Sequence, residues 1–84
     1  MRVTVELTYD MAKSAGITNL EMENVRSVAH VVEQVGTRLG SALAEEVHSA
    51  ALAVNGVLIS HRRGMRTRLT DGDIVSFVKA AAGG

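Results

Sequence analysis

One stretch of this chain carries a sustained helical period, and alternating segments flank it on both sides. Val28, Val31, Val32, Val35 and Leu39 recur at i, i+3, i+4, i+7 and i+11, which lines one helical face. Ala29, His30, Glu33, Gln34, Thr37 and Arg38 lie mostly on the other. Ser27 is placed to cap the first turn, Gly36 weakens the helix and Gly40 ends it. Valine is a mediocre helix former, so packing rather than propensity must hold this segment. One amphipathic helix among strands implies an α+β domain, a single sheet covered by one main helix.

The alternation is clearest at the start. Val3, Val5, Leu7 and Tyr9 share one face, and Arg2, Thr4, Glu6 and Thr8 the other, predicting a half-buried strand over 2–9. A helical turn stopped at Gly16 follows. Ile17 to Val25 predicts a second strand with Leu20 and Met22 inward, pairing with the first as an antiparallel hairpin. Ser41 to His48 suggests a short second helix through Leu43 and Val47. Ala51 to Asn55 alternates again, and Asn55-Gly56 predicts a tight hairpin turn, because both residues tolerate positive φ. Val57 to Ile59 is the returning strand, His61 to Arg68 a basic loop, and Asp71-Gly72-Asp73 a turn. Ile74 to Lys79 is the last strand.

A chain of 84 residues makes one domain near the size where a core becomes marginal. Tyr9 and Phe77 are its only aromatics, so that core must be aliphatic. Nine basic and nine acidic side chains balance, which argues against a dedicated nucleic-acid binder. The absence of cysteine removes disulfides, thiol nucleophiles and Cys metal sites, and fits a cytoplasmic location. Neither a signal peptide nor a membrane span is expected.

Enzymatic chemistry finds little to work with. His30, His48 and His61 fall on separate elements without a metal-ligand spacing. Asp71 and Asp73 flank Gly72 and suit local hydrogen bonding in a turn. Gly-rich phosphate loops are absent. The expectation is a non-catalytic protein that binds no metal or cofactor of its own.

What remains is the end of the chain. Residues 1–79 suffice for the domain, leaving Ala80-Ala81-Ala82-Gly83-Gly84 as a tail with almost no apolar area to bury. It is expected to stay extended in water until a partner orders it. Its distinctive group is the Gly84 carboxylate, and Gly83 and Gly84 lack the Cβ that would bar entry to a narrow channel. A frayed, glycine-rich terminus without function has the same composition.

Two surfaces accompany the tail. With Val75 and Phe77 inward, Ile74 and Val78 point to the opposite face, either into a partner-binding patch or under a loop. His61, Arg62, Arg63, Arg66 and Arg68 concentrate positive charge on a neutral chain. That charge serves a solvated loop, docking to an acidic partner with Arg62 and Arg63 steering the encounter, or RNA.

Leu52-Ala53-Val54-Asn55-Gly56, Leu69-Thr70-Asp71-Gly72-Asp73-Ile74-Val75 and the terminal Ala82-Gly83-Gly84, with the helix opening Ser27-Val28-Ala29, resemble ubiquitin-like sulfur carriers. The nearest resemblance is to the small subunit of molybdopterin synthase, with the thiamine sulfur carrier next. The resemblance implies a β-grasp fold, a mixed sheet of four to five strands packed on one main helix. It also implies that an E1-like, ATP-dependent enzyme adenylates the Gly84 carboxylate. A persulfide donor then converts it to a thiocarboxylate, and a synthase large subunit accepts the sulfur, in molybdopterin formation first of all. Gly83 and Ala82 would thread the partner's channel. The alternative is a protein modifier joined through Gly84 to lysines of other proteins. Where the molybdopterin branch often has prolines before the last residues, this chain has Lys79 and Ala80.

Overall fold

The computed structural model describes residues 1–79; the tail 80–84, with Ala82, Gly83 and Gly84, lies outside them. Five strands form one mixed sheet: β1 (Arg2–Glu6), β2 (Asn19–Glu23), β3 (Ala51–Val54), β4 (Val57–Leu58) and β5 (Ile74–Val78). Their order across the sheet is β2-β1-β5-β3-β4. β1 and β5 run parallel at the centre, with Val5 beside Val75. The other neighbours are antiparallel. Helices α1 (Tyr9–Ala15), α2 (Val28–Leu39) and α3 (Ala44–Ser49) join them. This is the β-grasp arrangement, with α2 as its main helix.

The aliphatic core lies between α2 and the sheet. Val28, Val31 and Val35 of α2 are fully buried, as are Val3 and Val5 of β1, Val54 of β3 and Val75 of β5. Met22 and Phe77 belong to the same cluster. Val32 and Leu39, on the same stripe, are only half-buried at its margin. Ser27 caps α2 as anticipated, its hydroxyl accepting the His30 amide at 3.3 Å. Gly40 ends the helix at φ 79°, a region that favours glycine.

Several boundaries differ from the alternating pattern. β1 stops at Glu6, because the Thr8 hydroxyl accepts the Met11 amide at 3.1 Å and starts α1. Tyr9 therefore belongs to a helix and is 79% exposed, whereas Met11 is buried in its place. β1 and β2 do pair antiparallel, but α1 replaces the short turn of a hairpin. β2 spans only Asn19–Glu23. The Asn55-Gly56 turn has φ of 50° and 82°, as a two-residue hairpin turn requires. The returning strand is shorter than its pattern, since Ile59 begins a 3₁₀ turn through His61. Ser41 to Ser49 is a 3₁₀ turn followed by α3, anchored by Leu43 and Val47.

Candidate functional site: the outer sheet face and the root of the tail

β5 is both the central strand and the last element before residue 80, so its exposed side lies beside the root of the tail. Its burial alternates: Val75 and Phe77 face the core, and Ile74 and Val78 face outward, each 41% exposed. Neither is covered by a loop. They stand about 13 Å apart along the strand.

The register builds the rest of this face. Ser76 lies between the two aliphatics, beside Glu6 of β1 and opposite Ala53 of β3. The Ser76 hydroxyl donates to Glu6 Oε1 at 2.8 Å. Ala53 in turn faces Leu58 of β4, so Leu58 joins the same row and is 40% exposed. Leu58, Ile74 and Val78 thus form an aliphatic surface around the small residues Ala51, Ala53 and Ser76. Leu58 was missed in the sequence, although the two-residue hairpin fixes its register to Ala53 and would have found it. At the tail root, Lys79 Nζ lies 3.5 Å from Asp10 Oδ2. Both groups are exposed, so this pair contributes little stability.

The turn before β5 holds the strand in place. Asp73 accepts hydrogen bonds from the Thr70 amide at 2.8 Å, the Asn55 side-chain amide at 2.9 Å and the Thr70 hydroxyl at 3.2 Å. Burial acts to raise the Asp73 carboxyl pKa. The hydrogen bonds from Thr70 and Asn55, with the charge of Arg62, outweigh it and hold the group below its ordinary value. Asp71 does more than close its own turn: its Oδ1 accepts the Arg2 amide at 2.7 Å, pinning the turn to the start of β1.

The basic loop is more ordered than its composition suggests. It contains a 3₁₀ turn at Gly64–Arg66, and Arg68 bridges to Ser27 at the start of α2. Arg63 lines a groove together with Arg66, Arg68 and Arg26, a residue outside the loop. Arg62 lies near Asp73 and shares a second, smaller groove with Arg63, His61, Thr67 and Arg68. His30 is engaged at the start of α2, within 3.5 Å of the Gln34 side-chain amide. Among the described residues no three His, Cys, Asp or Glu side chains come together as metal ligands, and no helix is long and apolar enough to cross a membrane.

Known proteins share this architecture. Small archaeal modifier protein 1 from Methanosarcina acetivorans superposes with a TM-score of 0.85 at 23% identity, covering 99% of this chain and 96% of that one. A chain of the Amycolatopsis orientalis BexX/CysO complex gives 0.79 at 21% identity, over 98% and 99%. A chain of the complex of molybdopterin-converting factor subunits 1 and 2 from Helicobacter pylori gives 0.72 at 23% identity, over the full length of both. No curated protein sequence matches. The family model for the ThiS family matches residues 11–84, spanning the helix, the Asn55-Gly56 hairpin, β5 and the terminal glycines. The chain therefore belongs to the ThiS family, among the ubiquitin-like sulfur carriers that its motifs resemble.

Proposed function

We propose that this protein is a sulfur carrier whose reactive group is the carboxylate of Gly84. The observation that carries the reading is the family match running through Gly83 and Gly84. A carboxylate is a poor acyl donor until one oxygen becomes a good leaving group. An E1-like activating enzyme would join it to AMP from ATP, releasing pyrophosphate. Sulfur from a persulfide would then displace AMP and leave a thiocarboxylate, which delivers sulfur in a partner's active site. Molybdopterin formation is the acceptor reaction that the sequence motifs favour. The Helicobacter pylori complex, in which one molybdopterin-converting subunit binds another, supports a synthase large subunit as partner.

In this reading the chain supplies no catalytic group of its own. It supplies a grip. Leu58, Ile74 and Val78 give the partner an apolar surface beside the tail root, and Ala82 and Gly83 pass down its channel. Arg62 and Arg63 contribute charge that speeds encounter.

The similarity to an archaeal modifier protein favours a second reading. Adenylation would be the same, but a lysine amine would take the acyl group and form an isopeptide bond. Intact mass spectrometry of protein from its native cell separates the two. A gain of about 16 Da marks exchange of oxygen for sulfur, and cross-linked ladders mark conjugation. A mass equal to the unmodified chain in cells with active sulfur transfer would remove both.

A further inference from the structure

The charge on this neutral protein is unevenly placed. Besides Arg38, five arginines, Arg26, Arg62, Arg63, Arg66 and Arg68, make no side-chain ion pair among the described residues. Four of these five, all but Arg62, line one open groove of about 950 Å³ with Met1, Ser27, Ala29, Met65 and Leu69. Among the described residues, no Asp or Glu lines it. Met1 and Met65 are two of the few large apolar side chains left exposed. The groove thus combines fixed positive charge with soft, adaptable apolar surface.

A solvated loop would present these arginines loosely, and this one does not. Among the described residues, Thr67 is the single buried polar side chain. Its hydroxyl donates to the Gly64 carbonyl at 2.7 Å and accepts the Arg63 amide at 3.2 Å, closing the loop on itself. The Val28 amide donates to the Thr67 carbonyl at 3.1 Å, and the Leu69 amide to the Arg26 carbonyl at 2.9 Å. These two bonds fasten the loop to the start of α2 and bring Arg26 to it. Four guanidinium groups are therefore carried on a braced frame.

We propose that this groove is a docking surface for an acidic, amphipathic peptide segment of a partner protein. Complementary charge sets the sign of the occupant, and the methionines ask for apolar side chains among its carboxylates. RNA fits less well. A single-strand binder needs aromatic faces on which bases stack, but Phe77 is buried and Tyr9 sits on α1, beyond the far end of β1. None of Leu58, Ile74 and Val78 lines this groove. β5 runs parallel to β1, so β5 ends at the Glu6 end of the sheet, whereas Met1, Arg26 and Arg68 lie at the opposite end. A partner held here leaves the tail free to react elsewhere.

The test is fluorescence anisotropy with a short capped peptide of Asp and Glu residues around two leucines, titrated with the full chain in low salt. Saturable binding is expected, weakened about tenfold by Arg63→Gln with Arg66→Gln and reduced by added salt. Arg26→Gln alone, remote in sequence, should weaken it several-fold. Ile74→Ser with Val78→Ser should leave it unchanged. Circular dichroism of each variant reports folding, and the single change Arg66→Gln replaces the double one if that unfolds. Absence of binding, indifference to the arginine changes, or loss of binding in the serine pair would overturn the proposal. So would tighter binding of an oligouridine of equal charge, which would make the groove an RNA site.

Discussion

Asn55 and Ile74 exchange two hydrogen bonds: the Asn55 amide donates to the Ile74 carbonyl at 2.8 Å, and the Ile74 amide donates to Asn55 Oδ1 at 2.9 Å. A turn residue thereby extends the β3–β5 ladder with its own side chain. The same side chain donates to Asp73, so one asparagine fixes both the hairpin and the start of the strand bearing the candidate surface. Asn55→Gly keeps the positive φ and removes these side-chain bonds. It should cost about 1–3 kcal/mol in denaturant unfolding, and an unchanged midpoint would show that the bonds are dispensable.

Asp73 makes stability depend on pH. Its folded-state pKa lies below the ordinary value of 3.8, so its contribution is fully present above that value and lost as pH falls through the lower folded value. The melting temperature of the native protein, measured relative to that of Asp73→Asn, should therefore fall as pH drops from about 6 toward 3. Parallel curves for the two proteins would contradict this.

The helix stripe is graded. Val31 is fully buried and Val32 only half-buried. Val31→Asp should place an unpaired carboxylate against the sheet and destabilise by more than about 4 kcal/mol, with Val32→Asp clearly milder. Conversely, Gly36→Ala meets no atom within 4 Å in the middle of α2 and should stabilise by about 0.5–1 kcal/mol. Chemical denaturation ranks all three.

Deleting Gly84, or adding a residue after it, should abolish ATP–pyrophosphate exchange with the cognate activating enzyme while leaving the melting curve unchanged. Retained exchange would sink the carrier and the modifier readings together.

The aliphatic surface predicts a separable defect. Burying Ile74 and Val78 in a partner contributes on the order of 2–4 kcal/mol before the costs of association. Ile74→Ser with Val78→Ser should weaken binding to the activating enzyme at least about tenfold in a folded protein, and adding Leu58→Ser should deepen the loss. Arg62→Glu and Arg63→Glu should chiefly slow association, less so in high salt.

Periodicity resolved what is local. The α2 stripe, the inward Val3, Val5, Val75 and Phe77 and the Asn55-Gly56 turn could all be read from spacing, because burial imposes the period directly. Tyr9 could not, since its alternation with Val5 and Leu7 continues while the Thr8 cap overrides it. The Asp71–Arg2 bond joins residues 69 positions apart, and Arg26 nears Arg68 only because its neighbour Ser27 bridges to that residue. No local pattern announces such pairs. Leu58 is the intermediate case, legible once the hairpin register is followed across to β5.

The position of β5 also governs how the molecule bears load. A strand at the edge of a sheet can be peeled away one hydrogen bond at a time. β5 is gripped on one side by β1 and on the other by β3, so tension applied through its C-terminal end must shear two ladders together. Any partner that drew on the chain end would therefore pull against two ladders at once.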